Sequence, residues 1–293
     1  MNTKLKRIIA LIICICVCFS LAACSSRDSN KKQPSKVTYN FSNLVSEDSQ
    51  KTVDSIMGDA GITADRRKVF FNHVKQFNGA VDAKLLNSDF AEGDPFTPKY
   101  DAYDYQDQWL RKYPDFNGYN CRITAFGLFG DFVSVNKDAE IRDSDLFLDT
   151  ESLDADTAVL SNSSDRNKFL QLFSVVPTTD TTDTSVHAKA VKEDWKKRGI
   201  TFETNDKISL ITVWFHNKWS EDENELSIGH TGVLIQTGDK YLFIEKLAFQ
   251  EPYQATYFST KDDLTDYLMK KYDVEWGQDT AKPFIMENDS VIC

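Results

Sequence analysis

Three residues carry side chains that together could perform nucleophilic chemistry: Cys121, His230 and Glu245. Cys121 lies in Asn117-Gly118-Tyr119-Asn120-Cys121-Arg122-Ile123-Thr124-Ala125-Phe126, where Asn120 is a good N-cap and Cys121, Ala125, Leu128, Phe129 and Phe132 repeat on one helical stripe. The spacing predicts a helix beginning at the cysteine. Its sulfur then sits among unpaired first-turn amides at the positive end of the helix dipole, which favours a thiolate. Taken alone, an apolar stripe suits a small buried core thiol better.

The segment Ser227-Ile228-Gly229-His230-Thr231-Gly232-Val233-Leu234-Ile235-Gln236, then Thr237-Gly238-Asp239-Lys240, then Tyr241-Leu242-Phe243-Ile244-Glu245-Lys246 reads as a β-hairpin. A turn at Gly238-Asp239 pairs Gln236 with Tyr241, Leu234 with Phe243 and Gly232 with Glu245. His230 then lies diagonal to Glu245 on the same face, roughly 7 to 8 Å away at the backbone and within reach of a glutamate side chain. Gly232, without a side chain, is expected to leave space between them. A slip of one residue would put the two on opposite faces.

A free thiol has a pKa of about 8.5; a neighbouring imidazole makes more thiolate and later protonates the leaving group, while a carboxylate orients the ring. Cys121 is the expected nucleophile, His230 the general base and acid, and Glu245 the orienting residue. The Cys121 amide, joined by Asn117, Tyr119 or Asn120, is expected to stabilise an oxyanion. His216, at the end of the strand Ile208 to Phe215, is the rival base.

No cofactor or metal is expected. His73, His187 and His216 are scattered without HExxH spacing, and neither a Walker nor a GxGxxG pattern occurs. The acidic clusters Asp143-Ser-Asp145, Asp154-Ala-Asp156 and Glu221-Asp-Glu223 lack calcium-loop spacing and read as solvated faces. Tyr100, Tyr103, Tyr105, Trp109, Tyr113 and Tyr119 could line a sugar or peptide cleft, but such aromatics more often pack on a core.

The elements that must position these groups divide into helices first and strands later. Ser46, Thr63 and Asp101 are expected to cap helices ending near Asp59, Asn78 and Pro114. Further helices are expected at Ser164 to Val175, at Ser185 to Arg198, and from Thr260 to about Lys271. Strands are expected at 208–215, 232–236, 241–249 and 255–258, with a last one at 284–292. The fold class is α+β, a single domain over residues 37–293.

The chain opens with Lys4, Lys6 and Arg7, an apolar run from Ile8 to Leu21, and Leu21-Ala22-Ala23-Cys24. The run is too short for a stable membrane span and reads as a secretory signal over residues 1–23. Leu-Ala-Ala-Cys resembles the lipobox of bacterial lipoproteins, which implies cleavage before Cys24 and a diacylglycerol on its sulfur. Acyl chains on Cys24 would anchor the protein to the lipid bilayer at the outer face of the cytoplasmic membrane. Residues 24–36, rich in Ser, Lys and Arg, read as a flexible tether.

Removing residues 1–23 leaves 31 Lys+Arg against 45 Asp+Glu, so the formal charge moves from −11 to −14. Such a surface argues against nucleic-acid binding. Past Cys24 the cysteines are Cys121 and Cys293; a disulfide between them ranks behind a reactive or merely buried Cys121.

The order Cys, His, acid, with HTGVLI followed by YLFIEKLAF, resembles the papain-like superfamily, and within it the bacterial cell-wall NlpC-type endopeptidases and related amidases. The likeness covers Asn117 to Phe132 and Gly229 to Phe249. It implies a papain-like fold and a cysteine peptidase or amidase acting on peptide or amide bonds of the cell envelope, with peptidoglycan a possible substrate. Asn-Cys-Arg stands where that family usually has Asp-Cys-Ser-Gly, and no glutamine shortly precedes Cys121. Those departures leave an alternative, a non-catalytic surface-binding lipoprotein with a degenerate papain-like cleft. As a whole, this lipoprotein-like chain with its Asn-Cys-Arg motif also resembles the family named domain of unknown function 4300, a name that implies no activity.

Overall fold

Helix starts follow local capping chemistry in the computed structural model, which describes residues 38–275 and 277–293. The expected signal, tether and Cys24 lie outside the described residues. Ser46 accepts a hydrogen bond from the Ser49 amide and opens α1, Glu47–Asp59. Thr63 precedes α2, Ala64–Asn78, without a side-chain cap bond. Asp101 accepts from the Tyr103 and Asp104 amides at the start of α3, Ala102–Lys112. The remaining helices are α4 Cys121–Phe129, α5 Phe147–Ala155, α6 Asp165–Phe173, α7 Thr184–Lys197 and α8 Lys261–Tyr272. Thr260 and Asp263 form a reciprocal capping box that fixes the start of α8.

Among the described residues nine strands form one sheet. In space its order is β11 (Ser290–Val291), β10 (Phe284–Glu287), β6 (Ile208–Lys218), β7 (Asn224–Thr237), β8 (Lys240–Lys246), β9 (Tyr253–Phe258), β1 (Tyr39–Ser42) and β2 (Ala91–Gly93), with β4 (Val176–Thr178) also on β7. Every pairing is antiparallel. β3 (Val133–Ser134) and β5 (Thr201–Phe202) pair separately. Helices and an antiparallel sheet in one unit make the chain α+β.

Some boundaries differ from expectation. β7 begins at Asn224, not Gly232, because β6 runs on to Lys218 and pairs with it through Lys218↔Asn224. The expected last strand is a short hairpin, broken where Asn288 takes φ 51°. β1 was not expected: four residues carry little pattern, and they become a strand by pairing with the distant β9.

Alternation along the central strands gives the sheet two covered faces. Leu210, Trp214, Val233, Ile235, Leu242 and Ile244 join the large core built with α1 to α7. Ile211, Val213, Leu234 and Phe243 face the other way and pack on Leu264, Tyr267 and Leu268 of α8. Burying both faces explains why these strands are almost continuously apolar.

Candidate active site

Asn120 places the thiol. Its Oδ1 accepts from the Ile123 amide at 3.0 Å, so the helix begins at Cys121. In this first turn the Cys121 and Arg122 amides have no intrahelical carbonyl to bond. Cys121 is 8% exposed, and α4 packs across β7 and β8.

The hairpin has the expected register: Gln236 pairs with Tyr241, Leu234 with Phe243 and Gly232 with Glu245, around a turn at Gly238-Asp239. On its other edge β7 pairs with β6 in a register that shifts after Val213↔His230, leaving Gly229 as an extra residue. A bulge of this kind bends the strand and re-aims the side chains that follow it. Only glycine fits there, since a Cβ would come within 2.2 Å of the Phe215 ring. The space beside Gly232 is not open as expected: the Phe243 ring and the Ile244 carbonyl fill it.

His230 and Glu245 meet across the diagonal. The ring Nε2 donates to Glu245 Oε2 at 2.6 Å. Glu245 Oε1 accepts from the Tyr267 hydroxyl at 2.8 Å and from Gln254 Nε2 at 3.3 Å. The Tyr272 ring stacks on the imidazole with centroids 4.7 Å apart. With Nε2 bound to the carboxylate, Nδ1 is the nitrogen left for sulfur, and Cys121 and His230 each favour the charged form of the other. His230 is 1% exposed and Glu245 fully buried.

The electrostatics favour charge separation. Burial pushes the Cys121 thiol up, but the His230 hydrogen bond, the imidazolium charge and Arg122 together bring it below its ordinary value. Burial opposes the imidazolium as well; the thiol and Glu245 overcome it and raise His230 to about 9. Glu245, penalised by burial, is held below the usual carboxylate range by His230, Lys271 and Tyr267. Each of the three shifts favours the charged form of its group.

The three side chains considered as oxyanion donors have other partners. Asn117 Nδ2 donates to Glu151 at 3.3 Å. Tyr119 donates to Asp156 and stacks on His73 with centroids 3.8 Å apart. Asn120 caps the helix and gives its Nδ2 to Asp149 at 2.8 Å. The first-turn amides are therefore the donors that remain. His216, the rival base, accepts from the Ala281 amide through Nδ1 and bonds Asn224 through Nε2, at 3.1 and 3.0 Å, which leaves it no ring nitrogen for a thiol.

One acidic reading needs correction, and one acidic residue is added. Asp145 is buried rather than solvated, and burial first, then Asp149 and Glu225, raise it to about 7 against the pull of Arg122. Asp149, which the sequence reading missed, is fully buried on α5 and paired with Arg122. Local pattern could not find it, because its partner lies 27 residues away. Of the aromatic stretch, Tyr105, Trp109 and Tyr119 are core residues and Tyr103 is exposed. Cys121 and Cys293 are free thiols, the latter exposed. Among the described residues no group of three or more His, Cys, Asp or Glu is arranged to hold a metal, and no helix is long and apolar enough to cross a membrane.

No curated protein and no solved structure matches this chain. Its match to a family is nonetheless extensive, running from β1 to the C-terminal hairpin. Over residues 40–292 the chain fits the family described as a domain of unknown function, DUF4300, and it belongs to that family.

Proposed function

We propose that the chain is a papain-like cysteine amidohydrolase or peptidase, lipid-anchored through Cys24 at the outer face of the bacterial cytoplasmic membrane and acting on an amide or peptide bond of the cell envelope. One observation carries the reading: an imidazole held 2.6 Å from a buried carboxylate favours the thiolate of Cys121, which stands at a helix start. In the reaction the thiolate attacks the amide carbon and forms a C–S bond, and the carbonyl oxygen takes the charge beside the Cys121 amide. Collapse breaks the C–N bond while His230 gives its proton to the departing amine. His230 then takes a proton from water, hydroxide attacks the thioester carbon, and breaking of the C–S bond releases a carboxylic acid and restores the thiolate–imidazolium pair.

Trapping tests it. Incubation with envelope peptides or peptidoglycan fragments should release new amines in the wild-type protein, and an acyl adduct on Cys121 should be found by peptide mass spectrometry. Cys121→Ala should abolish both. Amine release that survives this substitution removes the nucleophile from the scheme.

Near-complete burial of Cys121 and His230 favours a second reading, a non-catalytic surface-binding lipoprotein that retains a closed papain-like cleft. A Cys121→Ser protein with full cellular function decides for it.

A further inference from the structure

Around Cys121 both neighbours in the chain hold the same buried carboxylate. Asp149 Oδ1 accepts from Asn120 Nδ2 at 2.8 Å and from Arg122 Nε at 3.0 Å, and its Oδ2 accepts from Arg122 Nη2 at 2.7 Å. Asn120 is also the helix cap, through its other amide atom. Arg122 reaches further: its Nη1 donates at 3.2 Å to the Ile228 carbonyl, the residue before the Gly229 bulge and two before His230. A single side chain of α5 thus ties the residues flanking the sulfur to one another, and through the guanidinium to the strand carrying the imidazole. The guanidinium grip is two-pronged and fixes an orientation as well as a distance.

We infer that Asp149 is a positioning residue for the thiol, setting the sulfur against His230 through Asn120 and Arg122. This rests on the hydrolase reading above. Charge and geometry act in opposite directions here, which separates the two roles. As a bare negative charge Asp149 raises the Cys121 pKa, whereas Arg122 lowers it. If only charge mattered, neutralising Asp149 would make the thiolate easier to form. If position matters, the same change releases Asn120 and Arg122, loosens the thiol–imidazole contact and makes the thiolate harder to form.

The test is the pH profile of Cys121 alkylation by iodoacetamide in the full-length protein, read by peptide mass spectrometry with Cys293 as internal reference. This profile reports the thiol–imidazole contact, which a melting temperature does not. Asp149→Asn should shift the profile to higher pH and slow Cys121 alkylation at neutral pH by about tenfold to a hundredfold, the loss expected when a reacting group is misplaced by about 1 Å. Asp149→Asn with an unchanged or lower-shifted profile overturns the inference. If that variant does not fold, Arg122→Lys decides, since it keeps the positive charge and loses the fork: slowed Cys121 alkylation supports positioning and an unchanged rate overturns it. A wild-type Cys121 that reacts no faster than Cys293 overturns the hydrolase reading itself, and this inference with it.

Discussion

His230 and Glu245 do not face each other across the hairpin; Glu245 pairs with Gly232, and the imidazole bonds it from the diagonal position at 2.6 Å. Two features make that diagonal short. The bulge at Gly229 redirects the strand just before His230, and Tyr272 of α8 presses on the ring from its face. The carboxylate in turn is held by Tyr267 and Gln254.

The pair gives Cys121 a distinctive pH dependence. Because the thiol lies below its ordinary value and His230 is raised to about 9, alkylation of Cys121 should rise at lower pH than that of a free thiol with a pKa of about 8.5. His230→Ala removes the proton acceptor but leaves the burial, so the Cys121 profile should move above the free-thiol value of about 8.5. A variant profile that overlays the wild type removes the thiol–imidazole pair from the site.

Linkage gives a separate stability test. A histidine with a raised pKa stabilises the folded state fully below its unfolded value of about 6.5, and that contribution disappears as pH rises through about 9. The destabilisation caused by His230→Ala should therefore be larger at pH 6 than at pH 10, measured as the difference in melting temperature from the wild type. An equal difference at both values contradicts the raised pKa.

Tyr267→Phe deletes the hydroxyl that donates to Glu245 and leaves the ring packed against Phe258 and Tyr39. Loss of this bond to a buried charge, with the one the hydroxyl accepts from Gln254 Nε2 at 3.1 Å, should cost about 1.5–3 kcal/mol in urea denaturation. The apolar packing is retained, so a loss beyond about 4 kcal/mol, more typical of cavity formation, would point elsewhere.

Gly229→Ala should destabilise the protein by about 1–3 kcal/mol, the usual effect of overpacking, since the new methyl meets the Phe215 ring. Combining it with Phe215→Ala should recover part of that cost, so the double variant loses less than the two single losses added together. Strict additivity in thermal melts would show that the ring and the bulge do not compete for the same space.

Lys246, beside Glu245 in β8, donates to the carbonyls of Ala248, Phe249 and Glu251 and lies 4.0 Å above the Phe77 ring centroid. Burial lowers its pKa well below the ordinary lysine value. Lys246→Met keeps the stem and strands three acceptors, so it should destabilise the chain by about 1–3 kcal/mol. Hydrogen exchange of the Leu247–Pro252 turn should rise with it, and unchanged protection would show that the ammonium does not hold this turn.

How much was legible divides along chain distance. Asn120 as a cap, the helix start at Cys121 and the capping box at Thr260 are interactions within four residues, so residue types alone determine them. The β7–β8 register was legible because a two-residue turn admits one pairing that keeps the apolar faces together. The bulge at Gly229 was not, since it arises between β6 and β7, whose register no short turn dictates. Nor was the burial of Asp145 and Asp149: a carboxylate reads as solvated until a guanidinium arrives to share its desolvation.

By itself the sequence determined the local geometry of each half of the site, a cysteine at a helix start and a histidine diagonal to a glutamate, because backbone amides and hairpin pairing act over a few residues. Tertiary structure alone decided that the halves meet. The Cys121–His230 contact spans more than a hundred residues and exists because α4 lies across β7 and β8, with Arg122 joining one to the other, an arrangement paid for by packing over the whole core rather than by any local preference.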